Sequence, residues 1–266
     1  MSYLSGISAE GLDFSRDGDW ITYVAIPGGT LWRSKLDGSQ RVQLTVAPML
    51  AALPHWSPDG KRIAFAGQVP GRNWKIYSVS FDGGSPELLT QNERAELDAT
   101  WHADGNSVVF GEAADSAQPT YIYSIDLRTR RVSQLPGSNG LCCPRVSPDS
   151  RFIAALSARG NVLMLFDIKT QKWAELPNVR INGYHSWSTD SKYICFLDTF
   201  TSGEQLASYR VRIADRKLER VADFTVPKGL MWGSFGPWSG LAPDGSPLFV
   251  RDISSEEIYA LDLDLP

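Results

Sequence analysis

Trp56-Ser57-Pro58-Asp59-Gly60-Lys61-Arg62-Ile63-Ala64-Phe65-Ala66 reads as an aromatic residue, a four-residue turn and a short apolar strand. Proline presets φ at the first central position of a type I turn, and the glycine after the aspartate relaxes the exit. The same phrase returns as Phe14-Ser15-Arg16-Asp17-Gly18, Trp101-His102-Ala103-Asp104-Gly105, Val146-Ser147-Pro148-Asp149-Ser150, Trp187-Ser188-Thr189-Asp190-Ser191 and Leu241-Ala242-Pro243-Asp244-Gly245. Between the turn aspartates at 17, 59, 104, 149, 190 and 244 the intervals are 42, 45, 45, 41 and 54 residues. That period suits four short strands per repeat, the spacing of propeller blades.

Within the second repeat the four strands read as 53–56, 62–66, 75–80 and 86–90, with Asp82-Gly83-Gly84 as a hairpin signal before the last. Second strands such as Tyr193-Ile194-Cys195-Phe196-Leu197 are apolar on both faces, as strands sandwiched between neighbouring sheets should be. No stretch sustains a capped helical period. The expected fold is all-β: a single domain over 1–266, a six-bladed β-propeller with four-stranded antiparallel blades at about 9–47, 51–91, 96–136, 141–177, 182–223 and 236–266. The sixth repeat stops after its third strand, and residues 2–7 occupy the place of an outer strand. The ring is therefore expected to close by the N-terminal strand completing the sixth blade, which removes a free sheet edge.

A chain of 266 residues with 42% hydrophobic content can bury a sizeable core. Its formal net charge of −4 argues against an electrostatic grip on nucleic acid. The first residues carry no basic segment followed by an apolar run, and no apolar stretch is long enough to span a bilayer. A cytoplasmic location is expected for the chain as it stands, and a periplasmic one if a signal segment has been removed; a monomer is expected. Cys142, Cys143 and Cys195 give neither a paired framework nor metal-ligand spacing. Adjacent Cys142 and Cys143 face opposite sides of one strand on the simplest reading; a strained vicinal disulfide is the other.

The W-S-P-D-G turn, the Ile63-Ala64-Phe65 strand and the Ile76-Tyr77-Ser78-Val79 strand together resemble the TolB-type propeller repeat, and differ from the repeat marked by Gly-His and Trp-Asp pairs. The resemblance covers nearly the whole chain. Proteins of this type include the periplasmic TolB propeller, propellers attached to serine peptidases, oligogalacturonate-lyase-like enzymes, and C-terminal propellers of bacterial winged-helix regulators. The closing Glu257-Ile258-Tyr259-Ala260-Leu261-Asp262 resembles the end of the last group. The resemblance implies architecture and leaves the ligand open.

If inner strands line a central channel, the residue before each repeated apolar residue forms a ring of Asp13, His55, Thr100, Arg145, Ser186 and Gly240. Two positions earlier the ring reads Gly11, Leu53, Asp98, Cys143, Tyr184 and Trp238, and Glu96 lies two earlier again. Asp13, His55, Glu96, Asp98, Thr100, Arg145, Tyr184 and Ser186 are the candidates for binding a small polar ligand or a cation such as calcium. The competing account is a wet channel in which Arg145 pairs with Asp98 or Asp13. His102 stands where other repeats have serine and is read as a turn residue, and His185 as a packed histidine or ligand contact.

The longest interval holds Trp232, Phe235 and Trp238, flat apolar side chains suited to a protein or peptide partner, or to plugging the channel. No G-x-S-x-G elbow is present. A non-enzymatic binding module without a cofactor is the leading expectation, acting on a protein or peptide at one rim; a channel hydrolase or lyase, with or without a metal, is the alternative.

Overall fold

The computed structural model of the chain describes residues 7–113, 119–158, 162–181, 183–198, 205–225, 232–233 and 236–250. Strands β1 to β4 span Ala9–Phe14, Trp20–Ala25, Thr30–Lys35 and Val42–Gln43; β5 to β8 span Leu50–Trp56, Arg62–Gln68, Lys75–Ser80 and Glu87–Leu88. Strands β9 to β12 follow at Glu96–Trp101, Ser107–Glu112, Ile122–Asp126 and Val132–Gln134, and β13 to β16 at Leu141–Val146, Phe152–Ser157, Val162–Asp167 and Lys172–Arg180. A fifth set, β17 to β20, covers His185–Trp187, Tyr193–Asp198, Gln205–Arg212 and Leu218–Thr225. Each set forms one four-stranded sheet in sequence order, antiparallel throughout. Two-stranded ladders complete the described chain: β21 (Trp232–Gly233) with β22 (Gly236–Pro237), and β23 (Ser239–Leu241) with β24 (Pro247–Phe249).

Six complete blades were expected; the described residues hold five complete blades and, in β23 and β24, two strands of the sixth repeat. The expected strand at 2–7 falls largely on residues 1–6, and the third strand of the sixth repeat on 251–266; both lie outside the described residues. The turn of the sixth repeat nevertheless stands beside that of the first: a Cβ placed on Gly18 would come within 3.3 Å of Pro243 Cβ.

The core lies between blades. Second strands are buried on both faces and divide their residues between the two neighbours by the two-residue period of a strand. Ile63 and Phe65 of β6 pack towards the first blade with Val24 and Leu31, while Ala64 packs with Trp101, Val108 and Phe110 of the third. Ile153 and Ala155 of β14 face the third blade, and Ala154 and Leu156 face the fifth. Complete burial of a side chain such as Phe65 contributes about 1.5–3 kcal/mol, so each interface between blades is a principal source of stability.

The repeated turn is held by its own polar atoms. Ser57 Oγ donates to Asp59 Oδ1 at 2.6 Å and accepts from the Arg62 amide at 2.9 Å, while Asp59 Oδ1 accepts from the Lys61 amide. Ser15 with Asp17, Ser147 with Asp149 and Ser188 with Asp190 repeat the arrangement. His102 occupies the serine position of the third repeat and keeps only the backbone part, its amide donating to Ser107 O and its carbonyl accepting from Gly105.

Candidate functional site

Inner strands carry the site, and a kink common to them sets its geometry. Gly11, Leu53, Asp98 and Cys143 stand at equivalent positions with φ of 60°, 51°, 58° and 57°, and the ladder slips at each. A left-handed residue inside a strand is a β-bulge, which re-aims the side chains around it. The prolines that follow two of them, Pro54 and Pro144, are the sequence signal for this kink, because proline inside a strand is confined to edges and bulges.

The ring expected along the channel is present, and two of its polar members serve as ties between blades. Asp13 Oδ2 accepts the Trp56 amide at 2.7 Å, and Thr100 Oγ1 accepts the Val146 amide at 3.3 Å. The repeat tryptophans add a second tie. Indole Nε1 of Trp56 donates to Asp13 O at 3.2 Å, that of Trp101 to His55 O at 3.0 Å, and that of Trp187 to Arg145 O at 2.9 Å. His55 Nδ1 lies 3.5 Å from Asp13 Oδ2.

Arg145 and Asp98 form a buried pair between the fourth and third blades. Arg145 Nη2 donates to Asp98 Oδ1 at 2.9 Å and Nη1 to Pro144 O at 2.9 Å. Burial opposes the charge on Arg145, but the Asp98 carboxylate more than offsets it and raises the guanidinium pKa. His185 is buried beside this pair. Burial, reinforced by the positive charge of Arg145, pushes its pKa down to about 3, so the ring is neutral at physiological pH; its Nε2 has no hydrogen-bond partner among the described residues. Tyr184 is held protonated, its pKa raised first by burial and then by the Asp98 charge.

Arg145, Tyr184 and His185 line a cavity of about 770 Å³, from whose lining Asp98 is absent. One end is ringed by the repeat turns, with Arg16, Pro58, Ala103, Pro148, Thr189 and Pro243 at the mouth. Deeper lie Asp13, His55, Thr100, Arg145, His185 and Ser186, and beyond them Leu53, Tyr184 and Trp238. Tyr184, from the fifth repeat, packs on the Ala52, Leu53 and Ala66 cluster of the second, and its ring lies 6.4 Å from that of Trp238. At this end Tyr184 of the fifth repeat reaches across the axis to the second, with Trp238 of the sixth beside it.

Asp98 and Arg145 are brought together as one of the two readings of the channel required, while Glu96 stands apart from them. Its carboxylate is fully buried, accepts from Thr90 Oγ1 and lies 3.8 Å from Lys75 Nζ, at the junction of the second and third blades. Burial raises its pKa. Trp238 is buried and lines the cavity. Trp232 pairs through its backbone with Pro237, and Phe235 lies outside the described residues. Among the described residues no three His, Cys, Asp or Glu side chains come together to hold a metal ion. The indole ties were not legible in the repeat pattern, which marks the positions but not the direction of each side chain.

Residues 11–228 match the model of the TolB beta propeller domain. An uncharacterised protein of Agrobacterium fabrum is 26% identical over 185 residues, 67% of this chain and 60% of that protein, so the matched stretch spans less than two thirds of that relative. Among solved structures, a putative TolB from Agrobacterium tumefaciens superposes with a TM-score of 0.70 at 20% identity, covering 92% of this chain and 90% of that one. An oligogalacturonate lyase from Vibrio parahaemolyticus superposes with a TM-score of 0.65 at 13% identity, covering 95% and 73%. At these identities the two superpositions show a shared fold.

Proposed function

Because the chain belongs to the TolB β-propeller family, we propose that it is a non-enzymatic binding module, a closed six-bladed ring that takes a protein or peptide segment at the mouth formed by its repeat turns. The observation that carries this reading is the use to which the channel's polar groups are put. Asp13, Thr100, Asp98 and Arg145 are engaged in bonds that join one blade to the next or neutralise a buried charge. A reaction site needs a nucleophile or a proton-transfer pair held ready for substrate; these groups are already committed to the scaffold. What remains open to a visitor is a wide mouth lined by prolines and short polar side chains, narrowing onto Tyr184 and Trp238, a shape suited to an inserted loop or chain end.

The test is selection of random displayed peptides on the purified chain, followed by affinity measurement on three variants. Thr189→Arg and Arg16→Glu change size and charge at the mouth, where both side chains are exposed; Arg72→Glu alters an exposed site outside the cavity lining. Binding lost in the first pair and kept in the third supports the reading. Affinity unmoved by both mouth variants, or cleavage of an oligogalacturonide by the wild-type chain, overturns it in favour of a channel lyase.

A further inference from the structure

In a regular strand, consecutive side chains point to opposite faces, and adjacent cysteines would hold their sulfurs well apart. Cys142 and Cys143 depart from that expectation. The left-handed φ of 57° at Cys143 and the register slip between Cys142 and Arg145 turn both side chains to the same side. Cys143 Sγ donates to Cys142 Sγ at 3.1 Å. The bulge is braced from the neighbouring blade: a Cβ on Gly111 would stand 3.1 Å from Pro144 Cδ and 3.3 Å from Cys143 N, so a side chain there would press against the bulge. Both cysteines are free thiols that keep part of their surface exposed.

We propose that Cys142 and Cys143 form a thiol–disulfide exchange site that low-molecular-weight disulfides of the glutathione class oxidise to a vicinal disulfide. The sulfurs are already in contact, and the bulge has removed the conformational obstacle that keeps neighbouring cysteines in a strand apart. The Cys142 thiolate attacks one sulfur of glutathione disulfide, its proton passing to water, and releases one glutathione thiolate. Cys143 then attacks the Cys142 sulfur of the mixed disulfide and expels the second. One S–S bond forms in the protein, one is broken in the reagent, and two electrons pass to glutathione, which leaves as two thiols. This order suits Cys143 as the second attacker, since the hydrogen bond to Cys142 and burial raise its pKa and keep it protonated until the mixed disulfide has formed. Adjacent Cα atoms are about 3.8 Å apart, nearer than the roughly 4.4–6.8 Å usual for disulfides, so the bond should be readily reduced again.

The site stands independently of the binding reading. The experiment treats the wild-type chain with glutathione disulfide, counts free thiols and maps peptides by mass. Three thiols before treatment should fall to one. Cys142 and Cys143 should appear in one peptide lighter by two hydrogens, with no glutathione attached, and dithiothreitol should restore all three thiols. Cys143→Ser should retain a stable glutathione adduct on Cys142, because the second attack is gone, and Cys142→Ser should stay unmodified at Cys143, because the first attacker is gone. Three thiols left in the treated wild type, a retained adduct on it, or a disulfide between two chains would each overturn the proposal, whatever the variants do.

Discussion

Asp98→Asn changes one buried charge and little else. Asp98 has φ of 58°, a conformation asparagine tolerates as well as aspartate, so the substitution adds no backbone strain. The amide oxygen still offers an acceptor and Pro144 O still takes one Arg145 hydrogen. What disappears is the negative charge 2.9 Å from the guanidinium of Arg145, whose side chain is 10% exposed. Breaking a buried pair by removing one partner costs about 3–5 kcal/mol, and the retained hydrogen bonds place this case near about 3 kcal/mol. At roughly 2–4 °C per kcal/mol for a large domain, the melting temperature should fall by roughly 6–12 °C. Urea unfolding followed by tryptophan fluorescence, with calorimetry beside it, measures both quantities. Adding Arg145→Met removes the stranded charge and fills the space with an apolar chain, so the double variant should recover most of the loss. A change below about 1 kcal/mol in Asp98→Asn, or a double variant no more stable than the single one, would refute the claim that this pair is a desolvated tie between blades.

Trp56→Phe, Trp101→Phe and Trp187→Phe each leave a carbonyl of the preceding blade without its indole donor, and each should lower stability by about 1–2 kcal/mol in urea unfolding; Trp32→Phe removes an indole that bonds Thr30 within its own blade and serves as the comparison. His185 titrates near 6.5 when unfolded and at about 3 when buried, so the unfolded chain binds the extra proton between those values. Its contribution is therefore complete above pH 6.5 and lost as pH falls towards 3, a slope of up to about 1.4 kcal/mol per pH unit. His185→Gln should flatten that part of the stability profile, measured by urea unfolding from pH 7 to 4; an unchanged slope would place the acid sensitivity elsewhere.

The turn phrase built on Trp56 to Gly60 carries its own hydrogen-bond plan, because Ser57 and Asp59 bond to atoms within a few residues. Local chemistry of that kind is legible in a single repeat, and its recurrence with apolar second strands by itself determines a propeller of four-stranded antiparallel blades. Asp13, His55, Thr100, Arg145, Tyr184 and Ser186 line the channel as the register placed them, whereas Glu96 and Asp98 do not; Asp98 with Arg145 was already one of the pairings it allowed. Side-chain direction was not determined there. A strand's two-residue period assigns Cys142 and Cys143 to opposite faces, and only the bulge, braced by the close approach of Gly111 from the next blade, brings their sulfurs together. Tyr184 likewise meets Leu53 across the axis, although 131 positions separate them in the chain. Contacts of this range depend on how far each blade is turned against its neighbour. That angle is the sum of packing between whole sheets and belongs to no single stretch of sequence.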